Sequence, residues 1–373
     1  MYVENLYLEN YRNFKKISIE LNEKLNLFIG DNAQGKTNLI EAIFYVSIGR
    51  SFRFSKDSNL IMFENNENYI KTKVNRRKDT KEIEIRLSKD KNKTYKINKI
   101  TLEKNSELVG IVNIVIFSPD NLDLIKGSPG DRRKFLNIEI SQLKPKYKYL
   151  LKKYKKILLQ RNNLLKNINE NDKNYKLLEV WDQHLIETGS EIILYRNEFI
   201  KKIKKISKKI HWELSGEKEK LNIIYKTGLG LLRNGDLESI KEKFQNKLIE
   251  NRQREIERGI TLYGPHLDDL KIIINSKNSK YYSSQGQKRT AALSLKLSEI
   301  DIIREEKKDN PIVLLDDVLS ELDNKRRSHL LKYIEDVQTI ITSTDDSDLL
   351  KLLEEKDKKI FYINNGKITN KIE

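Results

Sequence analysis

The run Gly30-Asp31-Asn32-Ala33-Gln34-Gly35-Lys36-Thr37 fits the phosphate-binding pattern G-x-x-x-x-G-K-[ST] without a mismatch. Two glycines allow backbone angles, and a close approach to phosphate, that a β-carbon would block. Lys36 is a cation placed to reach the β- and γ-phosphates of a nucleotide, and the Thr37 hydroxyl is a hard oxygen suited to Mg²⁺. A second constellation stands far downstream, where the apolar run Pro311-Ile312-Val313-Leu314-Leu315 ends in Asp316-Asp317. In phosphoryl transfer the first such carboxylate orients the Mg²⁺ shell and the next polarises water. The pattern points to phosphoryl transfer from a nucleotide, with Lys36 and Asp317 as catalytic candidates and Thr37 and Asp316 as metal ligands.

Chemistry of this kind needs a loop held between a buried strand and the N-terminus of a helix, whose free amides face the phosphates. Both flanks are present. Leu25, Leu27, Phe28 and Ile29 form a short apolar run into Gly30, and Leu39, Ile40, Ile43, Phe44 and Val46 recur at helical spacing after Thr37. Ser283-Ser284-Gln285-Gly286-Gln287 opens an amphipathic helix carrying Ala291, Leu293, Leu295, Leu297 and Ile300. Ser284 stands near its N-cap, where hydroxyl and amides can take an anion.

Strand-like alternation runs through Tyr2–Leu8 and Ile17–Leu21, and again through Ile70–Val74, Ile83–Leu87, Tyr95–Ile97 and Ile111–Phe117. The later group reads as an antiparallel meander. Gly127-Ser128-Pro129-Gly130 marks a boundary, after which helical patterns take over. Leu143, Tyr147, Leu150, Tyr154, Ile157, Leu164 and Ile168 keep a four-three spacing, with Arg161 in the one remaining seam position. A second run from Leu178 through Trp181, Leu185, Thr188, Ile192, Tyr195 and Phe199 keeps it too, then steps by four to Ile203. The two predict a helical arm joined by a polar turn at 167–173. A third helix follows over Asp236–Arg258, then a strand at Leu270–Ile274, a buried strand at Thr339–Ser343, and a closing hairpin around Asn364–Gly366.

With 373 residues the chain has room for two or three domains. The absence of cysteine excludes disulfides and thiolate metal sites, and the four histidines lack ligand spacing, so any metal is held by oxygen. No apolar run approaches the ~20 residues of a membrane span, and the first residues do not resemble a leader, so a cytoplasmic protein without a membrane partner is expected. The net charge of +17 favours an anionic partner. It is concentrated, since residues 131–220 hold 23 Lys and Arg against 12 Asp and Glu. Nucleic acid outweighs a merely solvated surface. Arg12, Asn13, Arg50 and Arg53 are further cations and donors that could reach nucleotide or DNA.

The phosphate loop continues as Asn38-Leu39-Ile40-Glu41-Ala42. Together with Ser284-Gln285-Gly286-Gln287 and Leu314-Leu315-Asp316-Asp317-Val318-Leu319-Ser320-Glu321-Leu322-Asp323, this resembles the ABC-type ATPase heads of DNA repair and chromosome proteins, most of all the RecF family. The likeness extends through Leu8-Glu9-Asn10-Tyr11-Arg12-Asn13-Phe14, Phe117-Ser118-Pro119-Asp120, Gly130-Asp131-Arg132-Arg133, Tyr263-Gly264-Pro265-His266 and Gln287-Lys288-Arg289-Thr290. It implies an α/β P-loop ABC-type ATPase head of two lobes, a mixed sheet with an antiparallel meander, and an inserted α-helical arm. The implied division is 1–128, a lobe with phosphate loop and meander; 129–258, the basic arm; and 259–373, a lobe with signature motif, Walker B strand and D-loop.

The resemblance further implies an ATP-dependent homodimer that binds double-stranded DNA and gap junctions and works with RecR and RecO to load RecA. Ser284, Gly286 and Gln287 would meet the nucleotide held by the other subunit's loop, Gly30–Asn38, with Asp323 across the same interface and Arg12 beside the nucleotide. Three departures from the wider ABC pattern imply slow hydrolysis. Asp317 replaces a catalytic glutamate, Thr344 stands where a switch histidine is expected, and Ser118-Pro119-Asp120 lacks the Q-loop glutamine. A transporter ATPase subunit is the alternative reading, and it would not need the basic arm.

Overall fold

Three short runs, Leu25–Ile29, Ile114–Phe117 and Ile312–Asp316, apolar except for Asn26 and Asp316, are buried at every position. Strands covered on both faces pair in parallel, and these do. In the computed structural model, which describes all residues except 54–55, 168–173, 231, 233–235, 345–352, 354–356 and 373, they belong to one six-stranded sheet. Its order is Lys367–Ile372, Lys358–Asn364, Leu25–Ile29, Thr339–Ser343, Ile312–Asp316, Ile114–Phe117. Every pairing is parallel except the closing hairpin. Asn365 and Gly366 both take positive φ, as a two-residue hairpin turn requires.

Ile111–Phe117 therefore does not extend the meander, as its position after three alternating strands suggests. The strand is shorter, Ile114–Phe117, and pairs with Ile312–Leu315. Its side chains are all apolar instead of alternating, which is the signature of a two-sided parallel strand. The strands that do alternate, such as Glu67–Asn75, form a separate antiparallel sheet. Its order is Phe14–Glu20, Tyr2–Tyr11, Glu67–Asn75, Thr80–Ser88, Thr94–Ile97, Ile100–Thr101.

These two sheets lie in one compact unit, Met1–Asn121 with Leu293–Glu373. A second unit, Leu122–Ala292, holds the long helices. Residues 259–292 group with this second unit, alongside the 129–258 segment expected as the arm. They supply Asp269–Ile274, which pairs antiparallel with Leu221–Lys226 and Lys277–Asn278 in a three-stranded sheet.

Pro145 splits the first apolar seam. Lys144 before it is extended (φ −131°, ψ 92°), so Leu143 closes the helix Pro129–Leu143 and a new helix runs Pro145–Asn167. Tyr147, Leu150, Tyr154, Ile157 and Arg161 are buried along it, followed by Leu165 in place of Leu164. Ile168 and the link to the next helix lie outside the described residues. Arg161 is tolerated in the seam because its guanidinium meets Asp182 and Glu255, each at 2.6 Å, and Thr261 at 2.8 Å. The next helix, Asn174–Leu214, buries its seam residues Leu178, Leu185, Ile192, Phe199 and Ile203. It also buries Ile193, Arg196, Ile200 and Ser207, so it is covered on more than the single stripe of a two-helix arm. Lys201, Lys202, Lys204, Lys205, Lys208 and Lys209 all remain exposed. Among the described residues no helix is long and apolar enough to cross a membrane.

Candidate nucleotide-binding site

Parallel register brings three strand tips to one edge of the central sheet. Thr342 stands opposite Phe28 on one side and Asp316 on the other. The loop 30–35 leaves the Leu25–Ile29 tip and enters the helix Lys36–Ile48 at Gly35, whose φ of +118° excludes an L side chain. A β-carbon on Gly30 would lie 2.3 Å from the Ile363 carbonyl oxygen, so this glycine is required by the neighbouring strand as well as by any phosphate.

Within that loop the Lys36 ammonium is drawn inward, donating to the carbonyls of Gly30 and Asp31. Burial lowers its pKa from the ordinary lysine value, against the pull of Asp317, Asp31 and Asp316. Thr37 Oγ1 donates to Asp316 Oδ1 at 2.9 Å, and Thr342 Oγ1 reaches the same oxygen at 3.0 Å. Burial raises the Asp316 carboxyl above its usual range while those two hydrogen bonds act to lower it. Asp317 has φ 55°, rare for a residue with a β-carbon, and its Oδ1 is buried with no hydrogen-bond partner among the described residues. Lys36, Thr37, Asp316 and Asp317 are thus brought to one edge of the sheet.

On the helix side the sequence singles out Arg12, Asn13, Asn38 and Arg53 but not Glu41, which ties the two arginines together. Glu41, fully buried, accepts from Arg12 Nε at 2.9 Å and Arg53 at 2.7 Å, and from the Ser51 hydroxyl. Burial acts to raise this carboxyl, and the bonds from Arg53, Arg12 and Ser51 override it, holding it below the usual carboxylate range. Arg12, a candidate for nucleotide contact, is thereby held in a bidentate pair with Glu41. Arg53 also donates to Asn38 Oδ1 at 2.7 Å, and Asn38 donates to Asn13 Oδ1 at 2.8 Å. Asn13 Nδ2 and Gly366 N then both donate to the Gln34 carbonyl, at 2.8 and 3.1 Å, while Asn365 N donates to Gln34 Oε1 at 2.6 Å. The phosphate loop is buttressed by both ends of the chain. An acidic residue inside the apolar stretch Leu39-Ile40-Glu41-Ala42-Ile43 was the available signal, since a buried carboxylate requires cationic partners.

Comparison with known proteins accords with this geometry. The family model for the RecF/RecN/SMC N-terminal domain matches residues 2–369. The DNA replication and repair protein RecF of Clostridium tetani (strain Massachusetts / E88) is 46% identical over 368 residues, covering 98% of this chain and 99% of that protein. The chain belongs to the RecF family. A RecF from Bacillus cereus (strain G9842) is 43% identical, with full coverage of both chains. A solved structure of the recombination mediator protein RecF with ATP, in the RecFOR pathway, superposes with a TM-score of 0.92 at 41% identity, covering 100% of this chain and 98% of that one. An Smc head domain derived from Pyrococcus furiosus, 18% identical with a TM-score of 0.56, covers 100% of this chain and 96% of its own and shares the fold. The architecture is that of an ABC-type ATPase head.

The remaining RecF-like motif residues occupy helix starts. Ser284 and Gln287 form a reciprocal cap on the helix Gln285–Lys307, with Ser284 N donating to Gln287 Oε1 at 2.8 Å and Gln287 N to Ser284 Oγ at 3.2 Å. The Gln287 amide also donates to Glu219 at 2.9 Å, and Ser284 itself is exposed. Asp323 caps the helix Asn324–Tyr333 through Arg326 N at 2.9 Å and pairs with the Arg326 side chain. Asp31, Asn32 and Ala33 form the exposed crest of the loop, with Ala33 at φ 64°. Thr344 ends the Thr339–Ser343 strand exposed, and the Ser118–Asp120 turn closes on Asn121, whose Oδ1 accepts from Ser118 N at 2.9 Å.

Proposed function

We propose that this chain is an ATP-dependent DNA-binding protein of recombinational repair and replication, in which two copies close around ATP on duplex DNA near a single-strand gap and slow hydrolysis releases them. The observation that carries this reading is the convergence of Lys36, Thr37, Asp316 and Asp317 on one sheet edge, at the N-terminus of a helix. Relatives named for DNA replication and repair, and one solved with ATP, support it. Triphosphate would lie on the amides of Gly35–Asn38, with Lys36 turned from its carbonyls toward the β- and γ-oxygens.

Mg²⁺ fits the residues present. Thr37 Oγ1 and Asp316 are hard oxygen donors 2.9 Å apart on rigid tips, and Mg²⁺ needs only one or two protein oxygens besides phosphates and water. Such an ion would neutralise charge developing on the transferred phosphoryl group. Asp317, with a buried and unpartnered Oδ1, would take the proton of the attacking water. Ser284, Gly286 and Gln287 of one copy, with its Asp323, would complete the site of the other, and RecO and RecR would be the protein partners for loading RecA.

Asp317→Asn is expected to bind ATP and persist as a dimer while hydrolysis falls by about 10²-fold or more, because the water loses its base and Asp316 is untouched. A phosphate-release assay checks this, and undiminished turnover would move the base elsewhere.

The exposed lysines at 201, 202, 204, 205, 208 and 209 support the DNA contact. Replacing all six with Gln should weaken duplex binding alike across sequences and flatten its salt dependence by about 0.9 log-log unit per lost phosphate contact. Helical periodicity spreads them around more than one face, so roughly two to four should count. An unchanged salt slope in a folded variant would pass DNA contact to the head, where Arg50 and Lys56 are exposed and Arg53 is committed to Glu41.

A further inference from the structure

We infer that Thr342 is a positioning residue for hydrolysis, its one hydroxyl holding both Asp316 and Asp317 from the adjacent strand; the inference rests on the nucleotide reading above. Thr342 is 2% exposed and sits between the loop strand and the Asp316 strand. Its Oγ1 lies 3.0 Å from Asp316 Oδ1 and 3.1 Å from Asp317 N, with the Leu315 carbonyl a longer neighbour at 3.4 Å. A hydroxyl has one proton and two lone pairs, so it donates to the carboxylate while accepting from the amide.

Each bond has a separate consequence. The bond to Asp316 fixes that carboxylate independently of Thr37, whose own hydroxyl shares the same oxygen at 2.9 Å. The bond from Asp317 N anchors a left-handed residue (φ 55°), a conformation that persists only where its surroundings over-determine it. That backbone twist sets the direction of the Asp317 side chain, whose Oδ1 is left buried and unpartnered among the described residues. Thr342 itself need not touch nucleotide, metal or water. It acts through the two residues that would.

The test compares Thr342→Val, which keeps the shape and loses the hydroxyl, with Thr342→Ser, which keeps the hydroxyl and loses a methyl. Steady-state ATP hydrolysis, and fluorescent-nucleotide binding titrated with Mg²⁺, are measured on the full chain. The Val variant should lose about 10- to 100-fold in kcat with little change in KM. Its half-saturating Mg²⁺ should rise about 10-fold, as when a partner orienting a metal ligand is removed, while affinity without Mg²⁺ stays the same. The Ser variant should restore both. If Val lacks a cooperative melt, Thr342→Ala carries the same prediction. Wild-type kcat and Mg²⁺ dependence in Val, or equal impairment in Val and Ser, would overturn the inference. A wild-type chain whose nucleotide affinity ignores Mg²⁺ would defeat the metal reading beneath it.

Discussion

Lys36→Ala is expected to abolish ATP-driven dimerisation and to lower ATP affinity by tenfold or more, since a charge-assisted hydrogen bond is worth about 1.5–3 kcal/mol. The size of the effect follows from what surrounds the loop. Lys36 is its sole cation in sequence, and two arginines beside the loop helix are bound to Glu41, Arg12 in a bidentate pair and Arg53 through two nitrogens. Neither can replace the lost ammonium without leaving a fully buried carboxylate short of a partner, which would itself be costly. Folding should be unaffected, because among the described residues the ammonium donates to two loop carbonyls and the helix is anchored by its buried apolar residues. Nucleotide titration and sedimentation of the variant check this. Dimers that still form with ATP would remove the loop from the mechanism.

Ser284→Arg is expected to bind ATP with wild-type affinity as a monomer and to fail to dimerise. Ser284 is exposed at the start of the helix Gln285–Lys307, and in the reading proposed above it serves the other copy's nucleotide. An arginine there would meet the opposing copy as a bulky group at a site built for a hydroxyl and amides. It would also remove an N-cap worth about 0.5–2 kcal/mol, so Ser284→Asp is the companion variant. Aspartate caps equally well and sets a carboxylate against the γ-phosphate. Both variants should lose the dimer, and nucleotide binding lost in either monomer would contradict the contact in trans.

The parts of the site that could be read in advance are those in which chemistry and context are neighbours in sequence. Gly30–Thr37 carries its strand before it and its helix after it, and Asp316-Asp317 ends its own strand. What could not be read depends on residues brought from far away. Gln34 is held by Asn365 and Gly366, some 330 positions downstream, and nothing in a Gln or in an Asn-Gly turn announces that pairing. Thr342 looks like one more β-branched residue in a buried strand until its register opposite Asp316 is known. The same limit explains Ile111–Phe117, where order along the chain points to the meander while the unbroken apolar part, Ile114–Phe117, belongs to the parallel sheet. In the second unit the apolar periodicity identified the seams, but Pro145 reset one of them. The strand Leu221–Lys226 does not stand out in the sequence, because its partner Asp269–Ile274 lies beyond a whole intervening helix.

The central claim is that ATP joins two of these chains and that the joined form holds DNA. Sedimentation velocity of the full chain, without nucleotide, with Mg²⁺ and ATP, and then with a gapped duplex added, tests it most directly. The account predicts a 44.0 kDa species alone, a species of twice that mass with ATP, and a faster complex containing DNA only when ATP is present. A chain that stays monomeric with saturating ATP, or that binds the duplex equally without it, would contradict the account.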